Sequence, residues 1–150
     1  FSQFTSVLSN ISKVFKENEV SHYYLDGSTP IKTRNKIVED FNKDDTSVFL
    51  ISLKAGGTGL NLTSADIVIH FDPWWNPAVE DQATDRAHRI GQKHVVEVIK
   101  MISEGTIEEK IISLQEEKKN LIDKVVGKDI ELGENISNLD DEDILALFKR

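Results

Sequence analysis

Four short apolar runs punctuate the chain: Tyr23-Tyr24-Leu25, Val48-Phe49-Leu50-Ile51, Ile67-Val68-Ile69 and Val95 to Ile102. They are continuous rather than alternating, the pattern of strands covered on both faces of a parallel sheet. Between them apolar residues recur at helical spacing. The pattern predicts a helix from Thr5 to about Glu19, with Val7, Leu8, Ile11, Val14 and Phe15 on one side. A second begins at Ser28-Thr29-Pro30, a hydroxyl cap followed by proline at the first helical position, and buries Ile37, Val38 and Phe41. A third begins at Asn76-Pro77 by the same logic and runs to about His88. A fourth spans 106–126. Thr106 and Glu109 form its capping box, Ile107, Ile111, Leu114, Leu121 and Val125 its stripe, and Gly127 its final turn. Strand and helix alternating in this way predict βαβ units and a doubly wound, mostly parallel α/β fold.

A chain of 150 residues is long enough to bury roughly 70% of its extended surface in one core. Residues 1–126 are expected to form one lobe, and 127–150 an acidic tail with a short amphipathic patch at Ile144, Leu145, Leu147 and Phe148. The net charge of −8 argues against binding nucleic acid through overall charge. Its distribution changes that picture. Residues 1–103 carry 13 Asp/Glu against 11 Lys/Arg, whereas 104–150 carry 13 against 7. The nearly neutral first part leaves room for a local basic groove. No stretch reaches the ~20 apolar residues of a membrane helix. The absence of cysteine excludes a thiol nucleophile and a disulfide scaffold, and the four histidines show no metal-ligand spacing. Phe1-Ser2-Gln3-Phe4 reads as a cut inside a longer chain, and the cysteine-free composition suits an intracellular protein, cytoplasmic if prokaryotic and nuclear if eukaryotic.

Three segments have the makings of a site. Lys54-Ala55-Gly56-Gly57-Thr58-Gly59-Leu60-Asn61 directly follows an expected strand. Its glycines let backbone N–H groups approach a phosphate, and parallel sheets bind ligands at that end of a strand. The ordinary reading is a flexible strand-to-helix turn, and no Gly-x4-Gly-Lys-Ser/Thr phosphate loop occurs anywhere. Asp72-Pro73-Trp74-Trp75-Asn76-Pro77 holds both tryptophans, one expected to pack and the other to stack on a partner. Gln82, Asp85, Arg86 and Arg89 fall on one face of the expected third helix, with Val79, Ala83, Ala87 and Ile90 on a neighbouring stripe. An exposed Asp–Arg pair is the plain interpretation. Two arginines, a glutamine and a carboxylate presented together also suit a polyphosphate, which guanidinium forks bind two oxygens at a time.

At these residues the chain resembles the second RecA-like lobe of the Swi/Snf-type branch of superfamily-two helicases and DNA translocases. The likeness runs from Phe1 to about Lys124. Phe1 to Phe4 resemble the end of motif IV, Leu25-Asp26-Gly27-Ser28 the next element and Ser52 to Leu62 motif V. Asp72 to Pro77 match the tryptophan segment and Gln82 to Gln92 motif VI, with its His-Arg-Ile-Gly-Gln ending. The resemblance implies that Arg86 and Arg89 are arginine fingers acting on ATP, with Gln82 and Asp85 orienting them and Gly57 near the nucleotide. It implies that Ser2, Gln3, Lys54, Gly56, Thr58, Asn61 and Trp75 face the DNA backbone. ATP and Mg²⁺ would be held mainly by a first RecA-like lobe, whose phosphate loop and acidic motif are absent here. The implied partners are that lobe, double-stranded DNA and a protein–DNA complex as substrate, with no membrane.

Two functions follow from the two kinds of reading. The resemblance implies that the chain is the second motor lobe of an ATP-dependent double-stranded DNA translocase, expected to be inactive as an isolated fragment. Alternatively, it is a non-catalytic module that holds nucleic acid with its loops and a protein with its acidic tail.

Overall fold

The computed structural model describes residues 1–56 and 59–126. The order of elements is α1 (Thr5–Glu17), β1 (His22–Leu25), α2 (Ile31–Phe41), β2 (Val48–Ile51), α3 (Leu53–Gly56), β3 (Ile67–His70), α4 (Pro77–Thr84), β4 (Glu97–Lys100) and α5 (Ile107–Val126). Residues Phe1–Ile102 form one compact unit, and a second begins at Ser103. The expected acidic tail, 127–150, lies outside the described residues.

The strands pair as two parallel ladders. In the first His22 lies opposite Val48 and Leu25 opposite Ile51; in the second Ile67 lies opposite Glu97 and His70 opposite Lys100. Residues 1 and 2 run between the ladders and join them. Ser2 N–H donates to the Ile51 carbonyl and Leu53 N–H to that of Ser2. On the other side the Phe1 amino nitrogen donates to the Ile69 carbonyl at 2.6 Å and Phe71 N–H to the Phe1 carbonyl. Bonding to residues one before and one after the partner is the parallel pattern on both sides. The resulting order is β1–β2–(1–2)–β3–β4, all parallel.

The core belongs to the first ladder. Leu25, Val38, Phe41, Ile51, Ala55, Leu60 and Leu62 form one buried cluster. Tyr23, Phe41 and Phe49 pack against one another with ring centroids 5.1–6.2 Å apart. Each fully buried aliphatic side chain contributes about 1.5–3 kcal/mol. Ser12 on α1 meets the His22 ring at 2.7 Å, which fastens that helix to β1.

Several local expectations change in detail. α1 ends at Glu17 because Glu19 adopts φ 57, a left-handed position from which Val20 N–H turns back to the Phe15 carbonyl. Pro30 is the N-cap of α2 rather than its first helical residue, and no hydroxyl caps that helix. The Ser28 and Thr29 hydroxyls are engaged by Asp26 instead: Ser28 donates to its carboxylate and Thr29 accepts its N–H. At α5 Thr106 does cap, accepting from Glu108 N–H. The carboxylate reaching back is Glu108, on Ser103 N–H, rather than Glu109. The second ladder departs most from expectation. β3 alternates, with Val68 and His70 buried and Ile67 and Ile69 exposed, and β4 is exposed throughout.

Candidate functional site

Because every strand runs the same way, the segments after β1, β2 and β3 all leave one edge of the sheet, where open parallel sheets bind ligands. The first, Asp26 to Pro30, is a closed turn. The Asp26 carboxylate accepts the Ser28 hydroxyl at 2.6 Å and its N–H at 2.9 Å, and the hydroxyl bond chiefly holds its pKa below the ordinary carboxylate value. Arg34 of α2 reaches back to the carbonyls of Thr29 (2.7 Å), Gly27 (3.0 Å) and Asp26 (3.3 Å).

The second segment starts within a residue of β2. The Ser52 hydroxyl accepts Ala55 N–H at 3.3 Å, which turns the chain into α3. Leu53 and Ala55 point inward and Lys54 is exposed. Gly56 closes α3; Gly57 and Thr58 lie outside the described residues. Gly59 takes φ 54, a conformation that glycine adopts without strain. Asn61 is exposed, and its carbonyl accepts from Asn42 Nδ2 at 2.7 Å.

Asn76 caps α4 as expected, its Oδ1 accepting Ala78 N–H at 3.1 Å with Pro77 at the first helical position. The helix stops at Thr84 instead of reaching His88. From there the main chain tightens: Arg86 N–H bonds the Ala83 carbonyl, Ala87 N–H that of Thr84, and Arg89 N–H that of Ala87. Outside partners take up the polar groups of this stretch. Leu62 N–H donates to the Arg86 carbonyl at 2.8 Å, and Gln92 Nε2 donates to the carbonyls of Ala65 and Ala87 at 2.7 and 3.4 Å. The Gln92 Oε1 accepts Lys93 and His94 N–H. The four polar residues therefore do not share one helical face. Gln82 is exposed on α4, Asp85 and Arg89 are exposed in the turn, and Arg86 is only 6% exposed. Burial, then the neighbouring Arg89 charge, lowers the Arg86 pKa. Ala83 and Ala87 are buried as expected, whereas Ile90 is fully exposed. What the structure brings together is the glycine-rich segment and the arginine turn, bonded through Leu62 and Arg86.

The tryptophan loop after β3 is pinned at its root, where both Asp72 carboxylate oxygens accept Gln3 N–H, at 3.3 and 3.0 Å. Ser2 is fully buried and its hydroxyl is committed to Phe4, accepting its N–H and donating to its carbonyl. Gln3 is half-buried. The Trp74 and Trp75 rings lie 5.7 Å apart, with Trp75 41% exposed and Trp74 more covered. Sequence reasoning missed Glu80. It is 0% exposed; Oε1 accepts Trp74 N–H at 2.5 Å and Oε2 meets Lys100 Nζ at 2.6 Å. A carboxylate in a first helical turn ordinarily faces solvent and complements the helix dipole. No pattern in the sequence separates it from Asp81. His70, beneath it, bonds Thr84 Oγ1 at 3.0 Å, and burial pushes its pKa down to about 4.

Among the described residues no cluster of acidic, histidine or cysteine side chains has the makings of a metal site. The exposed donors, Arg89 and Gln82, fit the oxygens of a triphosphate, and Lys54 fits a phosphodiester. An apolar hollow of about 930 Å³ between β2 and β3 is lined by Leu8, Ile11, Val48, Ile67 and others, but by none of these polar residues.

Residues 1–91 match the family described as the helicase conserved C-terminal domain. The chain is 47% identical over 150 residues to an uncharacterized ATP-dependent helicase of Mycoplasma pneumoniae, covering 99% of this chain and 14% of that protein. It is 46% identical over 128 residues to the DNA repair protein RAD5 of Candida glabrata, covering 81% of this chain and 11% of that protein. Among solved structures, the C-terminal part of the Fun30 ATPase domain superposes with a TM-score of 0.73 at 43% identity, over 76% of this chain and 37% of that one. The chain thus spans about a seventh of the length of the Mycoplasma relative.

Proposed function

This chain belongs to the helicase conserved C-terminal domain family, in its Swi/Snf-type branch, and from that premise we propose that it is the second motor lobe of an ATP-dependent double-stranded DNA translocase. The observation that supports the reading best is the bond between Leu62 N–H and the Arg86 carbonyl. It holds the arginine turn against the segment that carries Lys54, so that nucleotide-directed and DNA-directed groups move as one piece. In this reading ATP and Mg²⁺ sit on a first lobe, and closure of the cleft brings Arg89 to the γ-phosphate. Arg86, buried beneath it, braces the turn and adds its charge, while Gln82 and Asp85 line the cleft and Gly57 approaches the nucleotide. Gln3, Lys54, Gly56, Thr58, Asn61 and Trp75 face the duplex, and Ser2 supports them from within the sheet. Alternate closing and opening moves the lobes along the DNA and remodels whatever protein is bound there.

A finger that meets the phosphate only in the closed state stabilises the transition state without affecting ground-state docking. In the intact two-lobe protein Arg89→Ala should therefore lower turnover about 10³-fold, close to 4 kcal/mol, and leave ATP affinity nearly unchanged. Arg89→Lys should not restore it, because a point charge lacks the two-pronged fork. Steady-state turnover and nucleotide titration check this. More than about a tenth of the wild-type rate in a folded Arg89→Ala protein removes the finger assignment, since an exposed Asp–Arg pair is worth only about 0.5 kcal/mol.

A further inference from the structure

Glu80 touches neither ligand in that scheme, yet it is a completely buried carboxylate with partners on two other elements: the Trp74 main-chain N–H and Lys100 Nζ at the end of β4. One turn further along α4, Thr84 bonds His70 of β3, so a single helix face is fastened at both ends. The residues after Thr84 are Asp85 and Arg86, where the arginine turn begins. The residue after Trp74 is the exposed Trp75. An α-helix of eight residues is a stiff rod about 12 Å long. Through this helix and Glu80 the arginine turn and the peptide next to Trp75 are therefore held in one fixed relation. Burying a carboxylate is costly unless it is paired, and an apolar side chain of similar volume would serve packing alone as well or better. The polar partners thus point to a role in fixing the loop.

We propose that Glu80 is a positioning residue that ties the Trp75 loop to the helix leading into the arginine turn, holding the tryptophan in place for DNA. This rests on the reading of Trp75 as a DNA contact. The test compares Glu80→Met with Glu80→Gln in the intact two-lobe protein, alone and combined with Trp75→Ala, reading ATP turnover against DNA concentration. Glu80→Gln keeps an oxygen for Trp74 N–H and should stay within about threefold of wild type, whereas Glu80→Met should raise the half-stimulating DNA concentration about tenfold, as loss of one base-stacking or backbone-seating aromatic does. Once Trp75 is alanine, adding Glu80→Met should cost less than about twofold, because the two residues act as one unit.

A Glu80→Met loss of the same size with and without Trp75 overturns the inference while leaving the motor reading in place. Equal loss in Glu80→Gln and Glu80→Met overturns it as well. If Trp75→Ala leaves DNA dependence untouched, the DNA-facing reading of the loop falls and this inference falls with it. Should Glu80→Met fail to fold, hydrogen exchange at the Trp74 amide of the wild-type protein decides. Protection matching the amides of α4 supports the clamp, and exchange at the rate of exposed loop amides overturns it.

Discussion

The two ladders of the sheet are built on opposite terms. β1 and β2 are held by apolar matter: Leu25 and Ile51 are sealed, three aromatic rings interlock beside them, and α2 lays Val38 and Phe41 over the group. β3 and β4 leave Ile67, Ile69, Val98 and Ile99 in the open and instead bury His70, Asp72 and Glu80, each with polar partners. The tryptophan loop and the arginine turn are anchored by that second set, whereas the segment that carries Lys54 is seated on the first. Apolar packing is strong and non-directional, whereas buried polar groups are indifferent stabilisers but fix geometry through hydrogen-bond direction. One half supplies stability and the other supplies aim.

This contrast is open to experiment. The largest effect is expected in the first ladder: Leu25→Ala should destabilise the protein by about 3–5 kcal/mol, the range for a sealed aliphatic that leaves a cavity. Urea unfolding with an unchanged slope would establish it, and a cost below about 1 kcal/mol would mean the core is elsewhere. Next comes acid sensitivity in the second ladder. His70 is buried with a pKa near 4 against an ordinary 6.5, chiefly through burial, and faces Glu80 and Lys100. Its neutral form is favoured by the fold, so its contribution is fully present above pH 6.5. That contribution is lost as pH falls towards 4, because the unfolded chain takes up the proton first. The change amounts to at most about 3 kcal/mol. His70→Gln should flatten that part of the stability–pH curve, and an undiminished slope would assign the acid sensitivity to another group. The smallest effect is Val98→Ala on the open strand, expected below about 1 kcal/mol in the same urea assay. A cost matching that of Leu25→Ala would erase the difference between the ladders.

Much of the framework was legible in the sequence. All four apolar runs became strands, and Asn76-Pro77 capped its helix as its chemistry dictates. The misjudged points share a cause, which is competition for hydrogen bonds from residues distant in sequence. Helical periodicity continued to Arg89, but Leu62 claims the Arg86 carbonyl and Gln92 that of Ala87, so the helix gives way to tight turns. Ser28 and Thr29 were plausible caps until Asp26 engaged both hydroxyls. For β3 and β4 the run of apolar residues promised cover on both faces, and no local pattern distinguishes a strand that is covered from one that is open. At the candidate site the exposure of Lys54, Asn61, Trp75, Gln82 and Arg89 was legible, because polar or aromatic residues in loops and on the polar side of a helix ordinarily face water. Glu80 was not, because what marks it is its burial, a property of the assembled chain.

The seam formed by residues 1 and 2 governs how the molecule comes together. Each ladder with its own crossover is a local affair, closing loops of a few tens of residues. Joining the ladders requires Phe1 to find Ile69, partners 68 positions apart. Loop-closure entropy rises only slowly with length, by about 0.6 kcal/mol per doubling, so the union is cheap at equilibrium. It weighs on the clock instead, since contacts between remote positions are slow to form. The ladders are therefore expected to assemble first and separately. The zipping of two residues between them, with the Leu62–Arg86 bond beside it, turns two halves into one cooperative body, and prising those residues out would leave the aiming half held by that bond and its neighbours alone.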